Sequence, residues 1–155
     1  MTHQAVFETL ADMAARVGTV IGVSDWTAIT QERINLFAQA TGDFQWIHVD
    51  PERAARDFPG GKTIAHGFLS LSIIPEFMNQ LFTVRSRKKG LNYGLNKVRF
   101  TAQVPCGSRI RLSMKLKEAV PMEGNGMRFT YDHTVELEGS ERPACVAEMI
   151  AIIYE

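Results

Sequence analysis

The second half of the chain alternates hydrophobic and polar residues in the manner typical of β-strands. The clearest segment covers residues 109–119, where Ile110, Leu112, Met114 and Leu116 share one face and charged or polar residues share the other. Turn residues separate this segment from its neighbours. The pattern predicts strands over residues 91–100, 109–119, 127–138 and 144–154.

The first half of the chain carries helical signals. Thr30 is a good N-cap, residues 31–41 place apolar side chains on one stripe, and Gly42 is the expected stop. A further helix is predicted to begin at Asp50-Pro51-Glu52, because a capping acid precedes a proline and a second acid. These two helices leave a short connector between them.

Three more elements complete the pattern. A long helix opening near residue 65 and running to residue 81 is apolar on nearly all sides and should be buried, with Pro75 kinking it or shifting its hydrogen bonds. An amphipathic helix is predicted over residues 5–17, and a short strand over residues 24–29. A buried helix followed by an antiparallel sheet gives an α+β fold.

The connector between the two helices carries candidate acid/base chemistry in Asp43 and His48. Five fully extended residues could separate their side chains by up to roughly 16 Å, so the spacing alone leaves their proximity open. A turned connector would bring them together as an acid/base pair. The alternative is that Asp43 bonds nearby backbone amides while His48 packs as a satisfied core histidine.

Composition narrows the class of protein. With 155 residues, 45% of them hydrophobic, the chain can form one domain over residues 1–155 with a proper core. Seventeen basic and seventeen acidic residues argue against a broad nucleic-acid surface. Cys106 and Cys145 lack metal-site spacing and are interpreted as reduced thiols of a cytoplasmic protein. Neither a signal peptide nor a membrane-spanning run is found.

Residues 41–50, Thr-Gly-Asp-Phe-Gln-Trp-Ile-His-Val-Asp, resemble the hydratase motif of the MaoC-like family, and specifically its NodN-like branch. Asp43 and His48 match the motif's catalytic acid and histidine. The commoner motif has Asn-Pro where this chain has Gln45-Trp46. Further similarity lies in residues 63–69, which resemble the His-Gly start of the family's central helix, and in residues 92–100 and 104–108.

The resemblance implies a hotdog fold, in which an antiparallel sheet wraps a long central helix, and a homodimer that completes the sheet and pocket. It also implies an R-specific enoyl-thioester hydratase or 3-hydroxyacyl-thioester dehydratase of fatty acid metabolism. The substrate would be a coenzyme A or carrier-protein thioester, so that coenzyme A is part of the substrate and no metal or redox cofactor is needed. Neither a nucleic-acid nor a membrane partner is expected.

The chemistry of hydration assigns roles to particular residues. Asp43 and His48 can hold one water between them and move its proton. The amide of Gly67 could bond the thioester oxygen at the start of the central helix. Substrate contacts are further expected from His66, Gln45, Trp46, Tyr93, Gly94 and Asn96, although a structural role for His66 at the helix start is an equal alternative.

Two other functions stay open on the sequence alone. A hotdog thioesterase would direct water to the thioester carbonyl and release a free thiol. A non-catalytic acyl-thioester-binding module would bind without turnover, and the Gln45-Trp46 pair leaves room for it. Outside the motif, His133 is interpreted as a packing or surface residue, and the basic run 85–89 as either a phosphate contact or a solvated loop.

Overall fold

The computed structural model describes residues 4–155, so His3 lies outside the described residues. The elements in chain order are β1 (Ala5–Phe7), α1 (Leu10–Ala14), β2 (Val20–Val23), β3 (Thr27–Ala28), α2 (Gln31–Thr41), α3 (Trp46–Val49), α4 (Pro51–Asp57), α5 (Gly67–Ser72), α6 (Ile74–Leu81), β4 (Phe82–Val84), β5 (Lys89–Arg99), β6 (Arg109–Met122), β7 (Gly126–Leu137) and β8 (Cys145–Tyr154).

The principal sheet is antiparallel and contains the four predicted strands in the order β6-β7-β8-β5, with β2 and β3 both pairing with β6. Among the described residues, β5 pairs with β8 alone and therefore forms an edge of the sheet. The ladder between β5 and β8 shifts register twice, between Asn92 and Gly94 and between Leu95 and Lys97. The sequence prediction of these strands is confirmed.

The predicted central helix is interrupted where Pro75 falls. It divides into α5 and α6 at Ile73, and Pro75 lies in the first turn of α6, where its missing N–H costs no intrahelical bond. Helix α5 packs against β8, while α6 packs against β6 and β2. Phe77 and Leu81 of α6 are fully buried against the sheet residues Leu112 and Met114 in the one core. The sheet thus wraps the helix in the expected hotdog arrangement.

The predicted helix boundaries around the connector are confirmed by their caps. The Thr30 side chain accepts a hydrogen bond from the N–H of Arg33 at the start of α2. Gly42 ends α2 in the left-handed conformation at φ 78°, which glycine adopts without steric cost. The Asp50 side chain caps α4 by accepting from the N–H of Arg53 at 2.9 Å.

Two predictions for the N-terminal region are wrong. The helix predicted over residues 5–17 is only the short α1, because residues Ala5–Phe7 pair in parallel with β4 and Thr9 then starts the helix with a capping box to Asp12. The strand predicted over residues 24–29 is reduced to β3 at residues 27–28, and a separate strand, β2, lies before the predicted range. The hydroxyl of Ser24 separates them by accepting the N–H of Leu112 at 2.9 Å, in place of a backbone carbonyl. No helix of the described chain is long and apolar enough to cross a membrane.

Candidate active site

A single helical turn places the candidate acid and imidazole side by side. Residues Trp46–Val49 form α3 rather than an extended connector between α2 and α4. As a result, one ligand atom each from Asp43, His48 and His66 lies within 4.8 Å of the others. The proximity of Asp43 and His48, which the spacing left open, is present in the structure. A separation of this size is one that a single water can bridge.

His48 is buried and held in one tautomer. Its side chain is 6% exposed, and its Nδ1 donates to the carbonyl of Ile64 at 2.7 Å. Because a carbonyl can only accept, Nδ1 carries the proton of the neutral ring and Nε2 keeps its lone pair. Burial lowers the pKa of His48. The hydrogen bond to the Ile64 carbonyl and the carboxylate of Asp43 act in the opposite direction, and His66 adds to the lowering, so the net effect is a lowered pKa. The neutral, proton-accepting form is therefore favoured.

His66 ties the acid-bearing loop to the start of α5. Its Nε2 donates to the backbone carbonyl of Asp43 at 3.0 Å and lies 4.0 Å from the Asp43 carboxylate. Its ring stacks on His48, with centroids 3.9 Å apart and planes at 25°. Its Nδ1 is buried and has no hydrogen-bond partner among the described residues. His66 thus fixes both the Asp43 backbone and the orientation of the His48 ring.

Asp43 faces solvent. Its side chain is 54% exposed, and its Oδ1 accepts the N–H of Gln45 at 3.3 Å. The alternative that Asp43 bonds a nearby amide is therefore present together with its proximity to His48. An exposed carboxylate beside a buried imidazole gives one side of the pair access to water.

The same three side chains are candidates for holding a metal ion. His48 Nδ1 and His66 Nε2 already donate to carbonyl groups, so a metal could use only His48 Nε2 and His66 Nδ1 without breaking these bonds. The lone pairs of stacked imidazoles lie in their nearly parallel ring planes and do not converge as tetrahedral zinc ligands must. The geometry suits proton transfer better than metal binding.

Gln31 is a positioning residue that the sequence reasoning missed. Its Nε2 donates to the backbone carbonyl of His48 at 2.7 Å, and its Oε1 accepts the hydroxyl of Thr63 at 2.5 Å. One side chain therefore joins α2, α3 and the segment before α5. The available signal was a pair of amides, Gln31 and Asn35, four residues apart on one face of α2, which bond each other at 2.9 Å.

A cavity of ≈ 190 Å³ joins His48 to the start of α5. Gly67 lines it, and as the first residue of α5 its N–H has no intrahelical acceptor. A Cβ at Gly67 would lie only 2.7 Å from the ring of Phe100, so only glycine fits against that ring. The full lining is His48, Ile64, Ala65, Gly67, Ser70, Phe100, Ala102, Gln103, Val104 and Ala144.

Tyr93, Gly94 and Asn96 of β5 lie away from this cavity. Tyr93 and Gly94 line a second cavity of ≈ 430 Å³ against α5, α6 and Met149 of β8. Asn96 donates to the carboxylate of Glu148 at 2.6 Å on an exposed part of the sheet. The structure does not bring these three predicted contacts together with His48.

Gln45 and Trp46 flank the pair without lining its cavity. Gln45 is the exposed residue before α3, and its carbonyl accepts the N–H of His48 at 2.9 Å. The Trp46 ring packs edge-on against Phe58, 6.1 Å between centroids, and the guanidinium of Arg53 lies 4.2 Å from its centre. Trp46 therefore packs against α4 and the residue that follows it, and steadies the turn that presents His48.

Comparisons with known proteins identify a family that the chain resembles. A family model described as the MaoC like domain matches residues 12–137. The chain is 55% identical over 144 residues to the 3-hydroxyacyl-thioester dehydratase Z of Mycobacterium tuberculosis (strain CDC 1551 / Oshkosh), covering 93% of this chain and 95% of that protein. It is 45% identical to Nodulation protein N of Rhizobium leguminosarum bv. viciae, covering 94% and 91%.

A solved structure supports the fold. R-hydratase PhaJ1 from Pseudomonas aeruginosa, in its unliganded form, superposes with a TM-score of 0.70 over 90% of this chain and 82% of that one, at 23% identity.

Proposed function

Because the chain belongs to the MaoC-like family, we propose that it is an R-specific enoyl-thioester hydratase, which also dehydrates 3-hydroxyacyl thioesters in the reverse direction. The observation that carries the proposal is the pairing of Asp43 with a tautomerically fixed His48, with the Gly67 N–H beside the same cavity. The 55% identical mycobacterial relative is named a 3-hydroxyacyl-thioester dehydratase, which supports the same reaction.

In this proposal Asp43 and His48 hold the attacking water. His48 Nε2 takes a proton as the water oxygen bonds C3, while the exposed carboxylate of Asp43 orients the water. The Gly67 N–H donates to the thioester oxygen, where negative charge develops. His48 Nε2 then returns this proton to C2, which leaves the imidazole neutral and completes the addition of one water across C2 and C3. Dehydration uses the same groups in reverse order.

The test is hydration of crotonyl-coenzyme A, followed by loss of enoyl absorbance, with a thiol reagent in a parallel sample and chiral analysis of the product. The proposal requires loss of absorbance without thiol release and an R-alcohol. Thiol release would instead identify a thioesterase, and silence across a chain-length series would identify a binding module.

Variants test the two catalytic assignments. Asp43→Asn and His48→Ala should each reduce turnover by on the order of a hundredfold or more while the protein remains folded. Glu123→Gln, at an exposed acid in the turn between β6 and β7, is the matched control and should retain full activity. Ordinary activity in both site variants would refute the mechanism.

We further propose that β5 forms a homodimer interface. This edge strand exposes three large apolar side chains, Leu91 at 52%, Tyr93 at 68% and Leu95 at 44%. An unpaired apolar edge is favourable for strand pairing with a second copy. Light scattering after gel filtration should find a dimer that Leu91→Asp weakens. Leu36→Asp, at an equally exposed leucine on α2, should leave it intact, and a monomeric wild-type protein would refute this proposal.

The remaining features of the proposed function follow from its chemistry. The substrate is a coenzyme A or carrier-protein thioester, and hydration by acid/base groups needs no resident metal or redox cofactor. A cytoplasmic location is consistent with Cys106 and Cys145, which are free thiols. Fractionation of cells expressing the tagged chain would test this location.

A further inference from the structure

Tyr131 of β7 is a buried polar residue that the proposed mechanism does not use. Its side chain is fully buried, and its hydroxyl has no hydrogen-bond partner among the described residues. An unsatisfied buried hydroxyl costs roughly 1–3 kcal/mol, and a phenylalanine at this position would avoid that cost. Phe129, two residues earlier on the same face, is such a phenylalanine. The Tyr131 hydroxyl therefore requires an explanation other than packing.

Tyr131 lines a third cavity, of ≈ 210 Å³, between α6 and the strands β5, β7 and β8. Asn79, Arg87 and Asn92 supply further polar groups to its wall, among apolar neighbours that include Met78. Within residues 4–155, Arg87 has no carboxylate at ion-pair distance. The positive charge of Arg87 also lowers the pKa of Tyr131 against the larger raising effect of burial, so the two groups act on each other. The cavity offers hydrogen-bond donors and an uncompensated positive charge.

The three cavities follow one another along the interrupted helix. Gly67 and Ser70 line the cavity at His48, Leu71 and Ser72 line the second, and Met78 and Asn79 line the third. The second and third also share Pro75 and Asn92 in their walls. From Gly67 to Asn79 the helical rise amounts to roughly 18 Å. A flexible chain attached to a thioester at Gly67 must span about this distance to reach the third cavity.

We propose that the acyl chain of the substrate lies along these cavities and that Tyr131 and Arg87 bind an oxygen acceptor at its far end, a carboxylate above all. The favoured substrates are therefore thioesters of long acyl chains that carry a terminal carboxylate. This inference rests on the proposed function, because it takes the reacting thioester to lie beside Gly67 and His48. A carboxylate at the end of the chain would accept hydrogen bonds from the Tyr131 hydroxyl and from the guanidinium of Arg87. Both bonds would be charge-assisted.

Binding of saturated thioesters tests the tail site without turnover. Calorimetry would compare dodecanoyl-, tetradecanoyl- and hexadecanoyl-coenzyme A with their ω-carboxy counterparts. At the length that fits, the ω-carboxy form should bind roughly tenfold to a hundredfold more tightly. Tyr131→Phe should remove most of this preference and leave the affinity for the methyl-terminated form unchanged. Tyr154→Phe, the same change at a tyrosine outside the cavity, should preserve the preference.

The outcomes separate this proposal from the proposed function. Crotonyl-coenzyme A is too short to reach Tyr131, so its hydration by the wild-type protein tests the proposed function independently of the tail site. Suppose that the protein hydrates crotonyl-coenzyme A but binds the ω-carboxy thioesters no more tightly than the methyl-terminated ones. This result would overturn the tail site and leave the proposed function intact. A preference for ω-carboxy chains that depends on Tyr131, in a protein without hydratase activity, would support the tail site and overturn the proposed reaction.

Discussion

Acidification should destabilise the fold through His133, an imidazole buried on β7. Its side chain is 2% exposed, its ring stacks on Tyr131 with centroids 5.5 Å apart, and neither ring nitrogen has a partner among the described residues. Burial lowers the pKa of His133 to about 4. The prediction that His133 is a packing or surface residue is thus confirmed as packing. This packing keeps the ring neutral at neutral pH.

The sign of the effect follows from proton uptake. In the unfolded chain His133 binds a proton below its ordinary pKa of 6.5, whereas in the folded protein it does so only below about 4. Between these values the unfolded state holds more protons, so the free energy of unfolding falls as the pH falls. The loss should amount to about 2 kcal/mol at pH 5 and about 3 kcal/mol below pH 4.

The assay is urea unfolding of the wild type and His133→Leu at a series of pH values from 7.5 to 5. The leucine fills a similar volume without polar nitrogens, so the variant should be at least as stable at pH 7.5 and should lose about 2 kcal/mol less on acidification. Part of the dependence should remain, because the pKa of His48 is also lowered. Val135→Leu, on the same strand face, controls for changed packing. Parallel pH profiles for wild type and His133→Leu would refute the reasoning.

Three further predictions concern residues that shape the site. Gly67→Ala should destabilise the protein by about 1–3 kcal/mol in thermal unfolding, because its Cβ would meet the Phe100 ring at 2.7 Å. Adding Phe100→Ala should recover part of this loss, and no recovery would contradict the proposed cause. Gln31→Ala should lower kcat/KM about tenfold, because it removes the hydrogen bond to the His48 carbonyl. Gln39→Ala, on the exposed face of α2, is the control and should not lower it. Equal kinetics in the two variants would show that Gln31 does not position His48. Trp46→Ala should cost about 2 kcal/mol in urea unfolding, since the ring is half-buried, and an unchanged midpoint would show that its contacts are not stabilising.

The features that the sequence predicted well are those encoded by neighbouring residues. The caps at Thr30, Gly42 and Asp50 and the alternation in β6 each depend on residues a few positions apart, and all of them occur in the structure. The N-terminal helix was predicted too long because residues Ala5–Phe7 pair with β4, a strand far away in the chain. Local periodicity carries no information about such a distant partner.

The reacting residues of the candidate site could be predicted from the sequence, but the hydrogen bonds that hold them in place could not. Asp43 and His48 could be selected from the motif, but the bond from His48 to the Ile64 carbonyl joins residues 16 positions apart and depends on the tertiary fold. The contact of Gln31 with His48 spans 17 positions and has the same origin. The positions of Tyr93 and Gly94 in the sequence likewise do not reveal that these residues line a separate cavity.

The two register shifts in β5 have a consequence for how the chain behaves in a crowded solution. An edge strand that runs from Lys89 to Arg99 without irregularity would be a template on which further strands could add without limit. The shifts at Tyr93 and Asn96 break the even spacing of its outer hydrogen-bonding groups and increase its local twist. A flat, regular strand from an unfolded neighbour therefore finds only short matching stretches. The irregular edge protects the protein against fibrillar aggregation and admits only a partner strand with a compatible bend.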